Sequence, residues 1–353
     1  MIIILVLVSV IMAFALQKIL LENTLKNIHY KTAPSKSLVE QDEEVDIVSE
    51  IHNDKWLPVL YIELFENLPK NAKIFGDDEL KKFFMLPNQI VEVSTTISLP
   101  KRGRYLLTGG TLYGGDFFGS ETIIQRKNTW QEVVVIPPKA NSPVLKNLLG
   151  GFLGDVSVNR FIMPDPILTV GARDYTGREP QKDISWAHSL RTRKLMVKQY
   201  DHTLELAVTV VLNLETSPQG KESAIEQCLS IARSVCEELE RRKIKYSFLT
   251  NAVAVGAIGR GNDLRDGLGH SHYRAILECL GRAAYLWQES FGSLLQKSLR
   301  RAEQGRHHII ITPEAITDYT AINRLREVSG AESIIITPET AKGGMHHEAS
   351  LSS

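Results

Sequence analysis

The residues best suited to chemistry follow a Val- and Leu-rich run. Leu204–Leu214 (LELAVTVVLNL) leads into Glu215-Thr216-Ser217-Pro218-Gln219. An acidic group followed by hydroxyls on a tight loop can hold a hard cation such as Mg²⁺ through one carboxylate, hydroxyls and waters. The competing reading is a strand-to-helix loop with ordinary capping residues, and it is favoured because so little else stands ready to coordinate. Other chemistry is thinner. Gly256-x-x-Gly259-x-Gly261 sits between a strand-like and a helix-like stretch, but its spacing is neither a dinucleotide fingerprint nor a Walker loop. His270-x-His272, His307-His308 and His346-His347 lack a Glu-x-x-His or Cys partner at ligand spacing. Cys228, Cys236 and Cys279 are too few and odd in number for a disulfide framework, and read as small buried hydrophobes. No Gly-x-Ser-x-Gly elbow is present. No catalytic residue, cofactor or dedicated metal is therefore expected.

The richest segment is Arg173 to Tyr200, RDYTGREPQKDISWAHSLRTRKLMVKQY. Charged and large apolar residues interleave there with no single period. Guanidinium groups (Arg173, Arg191) and carboxylates (Asp174, Glu179) near aromatics suggest fixed hydrogen-bonded pairs. The structural expectation is a staple between two domains, with Trp186 buried. A surface for a partner is the alternative.

Elements must position these residues. Val45–Ile51, Val59–Phe65, Ile90–Ser98, Arg104–Thr108 and Val133–Ile136 are short β-type runs separated by turn residues. They predict a small antiparallel β-sandwich over 45–138. Residues 139–200 form a connecting segment. From Leu204 the pattern becomes strand, helix (Ser223–Arg242), strand (Tyr246–Val255), and helices at Tyr273–Trp287 and Ser290–Glu303. Ile309–Glu314 (IIITPE) recurs as Ile334–Glu339 with a helical stretch between, a right-handed βαβ unit. Residues 201–340 thus predict an α/β domain with a mostly parallel sheet. A polar tail at 341–353 is expected to be disordered.

Lys+Arg and Asp+Glu are both 41. No global basic field exists, so nucleic acid is not an expected partner. The N-terminal run MIIILVLVSVIMAFAL has Ser9 as its only polar side chain. It predicts an uncleaved transmembrane anchor at 1–21 and a linker at 22–44, and the absence of a preceding Lys or Arg argues against a cleaved signal peptide. Lys18, Lys26, Lys31 and Lys36 follow the run, so the bulk of the chain is expected in the cytoplasm, on a single-pass anchor in the cell membrane.

The segment also resembles a family signature. Arg173-Asp174-Tyr175, Glu179-Pro180, Ile184, Trp186, Arg191, Leu195, Val197, Lys198 and Tyr200 match, in order, the signature of the domain of unknown function 58 family. Asn53–Leu64, Arg102–Tyr105 and Gly115–Gly119 resemble that family's β-sandwich region. The resemblance implies a membrane anchor, a β-sandwich and a degenerate von Willebrand factor A-like domain. Against that domain's Asp-x-Ser-x-Ser metal motif, Glu215 is one methylene longer and Gln219 replaces the second Ser, so little metal binding is expected at Glu215 and Ser217. The implied role is a membrane-tethered adaptor or scaffold beside a MoxR-type AAA+ ATPase and other membrane proteins. The alternative is a membrane-associated hydrolase whose active site is assembled from scattered residues.

Overall fold

The computed structural model describes residues 2–76, 81–115, 121–159, 169–177, 179–200, 207–217, 222–256, 262–316 and 318–343. The chain divides into two compact units, Met1–Pro138 and Lys139–Ser353.

The first unit opens with helix α1 (Ile2–Asn23) and continues with strands β1 (Ile28–Pro34), β2 (Leu38–Val39), β3 (Glu44–Asn53) and β4 (Val59–Glu66). Strands β5 (Lys73–Phe75), β6 (Lys81–Met85), β7 (Ile90–Ser98), β8 (Gly103–Gly115) and β9 (Thr122–Val135) complete it. Two sheets form, ordered β1-β3-β7-β5 and β2-β9-β8-β4-β6. Alternation does the work: Val45, Ile47, Ser49, Ile51 and Asn53 of β3 all point inward. Ile47 and Ile97 of one sheet share a core with Leu107 and Val133 of the other. Residues 28–39, expected as linker, supply β1 and β2 instead. Tyr30 is buried there, and its hydroxyl lies 3.0 Å from Ser49 Oγ.

The end of α1 is fastened to this unit. Leu21 and Leu25 are buried. Gly114 on β8 makes room, since a Cβ there would lie 2.5 Å from Thr24 Cγ2. Lys55 Nζ donates to the carbonyls of Asn23 (2.7 Å), Thr24 (2.5 Å) and Lys26 (3.0 Å), which satisfies acceptors that a helix terminus leaves open. Burial lowers this ammonium to about 8.

Among the described residues no helix is long and apolar enough to cross a membrane. Apart from Ser9, the apolar run stops at Gln17-Lys18. It supplies about 15 residues, or roughly 22 Å, against a hydrocarbon core of about 30 Å. The transmembrane anchor at 1–21, and the membrane location and orientation built on it, are overturned.

The second unit begins with α2 (Pro143–Asn159), β10 (Thr169–Asp174), α3 (Trp186–Thr192) and β11 (Met196–Tyr200). Then come β12 (Ala207–Leu212), α4 (Glu222–Arg241), β13 (Lys245–Thr250), β14 (Ala252–Ala254) and β15 (Asp263–Gly267). The rest is α5 (His270–Arg282), β16 (Ala283–Trp287), α6 (Phe291–Leu299), β17 (His307–Ile311), α7 (Thr320–Ser329), β18 (Ser333–Ile336) and α8 (Pro338–Lys342). The main sheet is ordered β15-β13-β12-β17-β18. Val208, Val210 and Leu212 of β12 pack on the α4 stripe of Ile225, Cys228, Leu229, Ala232, Cys236 and Leu239. Val211, Leu249 and Ile310 pack on the other face with Leu294 and Leu295 of α6 and Ile322 and Leu325 of α7.

The chain as a whole is mostly β with mixed sheets. The expected fold class, an N-terminal transmembrane helix, a small antiparallel β-sandwich and a von Willebrand factor A-like α/β domain with a mostly parallel sheet, is corrected. The spanning helix is missing from the described residues. In the first unit, β2 runs parallel to β9. In the second, β15 runs antiparallel to β13 at the sheet edge, and β10–β11 and β14–β16 form separate antiparallel pairs. No clear von Willebrand factor A-like parallel sheet results. The physical reason lies after β13: Gly256 (φ 68°) takes a left-handed conformation, and the returning chain pairs as a strand at the place where a helical crossover would keep the sheet parallel. Arg301 and Arg306 hold Asp263 and Asp266 of that returning strand.

Candidate functional site

The carboxyl ends of β12, β13 and β17 gather the polar residues of the second unit. In open sheets of this kind, ligands sit at such ends. Asn251 is at the centre. Its Oδ1 accepts from Leu214 N (2.8 Å), and its Nδ2 donates to Asn213 Oδ1 (2.7 Å) and to the Glu289 carbonyl (3.2 Å). Asn213 Nδ2 donates to Thr312 Oγ1 (3.1 Å), and its Oδ1 accepts from Glu215 N (2.9 Å). Asn213, Asn251 and Thr312 are all buried.

The loop 215–217 is tied into this network. Glu215 Oε2 accepts from Phe291 N (2.5 Å), at the first residue of α6. The carboxylate thus serves an open helix N-terminus, where negative charge is favoured. Ser217 N and Oγ both donate to Glu314 Oε1, each at 3.0 Å. Pro218 and Gln219 lie outside the described residues, as do Gly259, Gly261 and His346-His347. Among the described residues, no three His, Cys, Asp or Glu side chains gather in a group that could hold a metal. We expect Glu215→Ala to destabilise the second unit by about 0.5–2 kcal/mol through the lost charged acceptor for Phe291 N, while the Ser290 cap of α6 stays in place. Calorimetry with Mg²⁺ should give the same weak heats for the full chain before and after this substitution. Micromolar binding lost in the variant would show that the carboxylate is a ligand.

The segment 173–200 folds as a hairpin around a short helix. β10 and β11 pair antiparallel, with Arg173 opposite Val197 and Asp174 opposite Met196. Buried Ile184 bridges Val197. Ser185 N donates to the Met196 carbonyl (2.8 Å) and Tyr175 N to that of Leu195 (2.9 Å). Arg173 Nη1 lies 2.7 Å from Glu179 Oε1. Thr176 donates to Glu179 from both its hydroxyl (2.8 Å) and its backbone N (3.1 Å). These bonds, the Thr176 hydroxyl foremost and Arg173 after it, hold the Glu179 carboxyl at about 2. Asp174 and Arg191 are exposed.

Trp186 is not the buried staple that its size suggests. It is 64% exposed, and Leu190, one turn later on α3, is 81% exposed. Ile184 and Val197 are the apolar side chains buried in this small element, and Trp186 stands in solvent. Trp186→Ala should therefore move the melting temperature of the second unit by no more than about 2 °C, the scale of a surface substitution. A loss of 10 °C would restore the staple.

Groups with intrinsic reactivity are quenched by burial. It pushes the thiols of Cys228 and Cys279 up to about 12 and raises that of Cys236 further. It lowers His307 and holds His308 near 4. His307 packs edge-on against Phe152 (5.8 Å) and His272 against Tyr246 (4.8 Å). Ser185 Oγ and His188 Nδ1 lie 3.1 Å apart at the start of α3, exposed, a nucleophile–base distance with no carboxylate recorded on the histidine among the described residues. Sequence spacing hid the role of Asn213 and Asn251, 38 residues apart, because an isolated Asn at a strand end resembles any turn residue.

No family model matches this chain. No curated protein matches it. Solved structures overlap it only partially. A CARDB domain from Pyrococcus furiosus, solved with di-metal ions, is 12% identical over 31% of this chain and 90% of that one, at a TM-score of 0.21. The sporulation control protein Spo0M of Bacillus subtilis is 14% identical over 37% of this chain and 56% of its own, at 0.20. A β-glucosidase from Listeria innocua in complex with glucose is 9% identical over 31% of this chain and 16% of its own, at 0.17. Overlaps at these scores carry no functional argument.

Proposed function

We propose that the chain is a non-catalytic protein-binding scaffold or adaptor. One observation carries the reading. The polar groups at the carboxyl end of the main sheet are bonded to one another, while apolar side chains beside them stay in solvent. Leu286 is 62% exposed and Trp287 37% exposed on β16, next to Gln288, whose N donates to the Asn251 carbonyl (2.9 Å). Aromatic and apolar groups around a rigid polar framework suit protein recognition. The family resemblance makes a MoxR-type AAA+ ATPase the first partner to test. The full chain should bind the purified ATPase saturably in biolayer interferometry. Absence of binding up to about 100 μM, near the weak limit of specific association, would remove this partner.

The hydrolase alternative rests on Ser185 and His188. Ser185→Ala should abolish any esterase activity of the full chain if they react. Activity undetectable at the outset leaves the scaffold reading in place, whereas activity unchanged by that substitution would place catalysis elsewhere in the chain and overturn it.

A further inference from the structure

The outer face of the β1–β3 pair in the first unit brings together two histidines that no spacing in the sequence connects. The strands run antiparallel, with His29 directly opposite His52. Buried neighbours fix the backbone on both sides of each ring: Ile28 and Tyr30 flank His29, and Ile51 and Asn53 flank His52. Alternation therefore turns both imidazoles outward. Their ring centres lie 6.2 Å apart, with the planes tilted by 36°. Asp54 completes the arrangement. Its backbone N donates to the Asn27 carbonyl (3.0 Å), just before β1. Its Oδ2 lies 3.5 Å from His29 Nε2, and both side chains are exposed. The next pair on this face, Lys31 opposite Glu50, cancels in charge. Asp54, and Glu92 on β7 opposite Glu50, leave the local field negative.

We propose that His29 and His52 form a site for a transition-metal ion that prefers imidazole, Cu²⁺ above all, with waters in its remaining positions. Distance carries the argument. Metal–imidazole bonds of about 2.0–2.1 Å put the ion roughly 3.2 Å from each ring centre, so rings up to about 6.4 Å apart can share it. Rigidity supports it: both rings stand on paired strands, so binding has little backbone to order. Charge supports it too. The Asp54 carboxylate beside His29 favours a cation, and a carboxylate next to a ligating imidazole orients the ring and raises its basicity. Copper is favoured because it heads the affinity order of divalent ions at nitrogen sites. Two ring nitrogens completed by water do not require the group of three His, Cys, Asp or Glu that the described residues lack. The site lies on the first unit and stands apart from the scaffold reading, which rests on the second.

Copper titration tests it. The full chain is first given His346→Ala/His347→Ala, because that adjacent pair is a rival for copper. Calorimetry with Cu²⁺ in a weak glycine competitor should then show a saturable site. Electron paramagnetic resonance at low copper loading should resolve two ring nitrogens on the ion. His29→Ala and His52→Ala should each weaken binding by about tenfold or more and remove one nitrogen from the spectrum, and Asp54→Asn should weaken it by a smaller factor. Ni²⁺ should bind the same site less tightly than Cu²⁺. Both rings lie on the outer face, so neither alanine variant should move the melting temperature by more than about 2 °C, which separates a lost ligand from a lost fold. Affinity unchanged by both substitutions, a loss confined to one of them, or a one-nitrogen spectrum before either is made would overturn the proposal.

Discussion

Asn251→Ala lowers the melting temperature of the second unit by about 10 °C. The side chain is fully buried and makes three hydrogen bonds at the meeting point of β12, β13 and the approach to α6. Alanine removes all three and strands the Leu214 N–H away from water. Each unsatisfied buried group costs about 1–3 kcal/mol, so a total of roughly 3–5 kcal/mol is expected. For a unit of this size, 1 kcal/mol shifts the midpoint by about 2–4 °C. Asn213→Ala should cost a similar amount, and the double variant less than the sum, because the two amides share a bond. Circular dichroism melts of the three variants check this. Additive effects would show that the amides act separately.

Arg306→Met is the second large effect, with a pH signature. The guanidinium is buried and bidentate on Asp266 (2.8 and 2.7 Å), with Glu303 at 2.9 Å. Removing one member of a buried pair costs about 3–5 kcal/mol, and partial exposure of Asp266 reduces that to roughly 2–4. Hydrogen bonding from Arg306 holds the Asp266 carboxyl below its ordinary range. A group lowered in this way adds stability above its unfolded pKa of about 3.9, and that stability is lost as pH falls through the lower folded value. The gap between wild type and variant should therefore be constant near neutral pH and narrow below about pH 4. A gap of the same size at pH 3 would locate the loss in packing, not in the ion pair.

Period carried much of the secondary structure. The 3.6-residue stripe gave a helix at Ser223–Arg242, and α4 runs Glu222–Arg241. Partial alternation gave Ile90–Ser98, which is β7. Failures came where partners distant in sequence decide. Residues 283–287 extend the apolar period of α5, yet they form β16, because Ala283 and Trp287 pair with Ala254 and Ala252 of β14. The antiparallel edge β15 was invisible for the same reason: Asp263-Leu-Arg-Asp-Gly reads as a charged loop until Arg301 and Arg306 are brought beside it. In the candidate site, Glu215 and Ser217 could be picked out by residue type. Their occupation by Phe291 N and Glu314 could not, since those partners lie 76 and 97 residues away. Trp186 misled because size argues for burial, whereas a helix as short as α3 has little interior to offer.

The repeated Ile-Ile-Ile-Thr carries a liability as well as a fold. In the native sheet the two copies lie side by side and in register, Ile309 on Ile334, Ile310 on Ile335 and Ile311 on Ile336. Strands of identical sequence, stacked parallel and in register, are also the unit from which cross-β fibrils grow. Once heat releases them, copies from different molecules can pair as readily as the two within one chain. Unfolding of this unit should then be irreversible above micromolar concentration, with a midpoint that depends on scan rate and a lag-phase rise in thioflavin fluorescence afterwards. Cooling would return aggregate, and the durability of the protein would be set by how slowly β18, at the edge of its sheet, comes away.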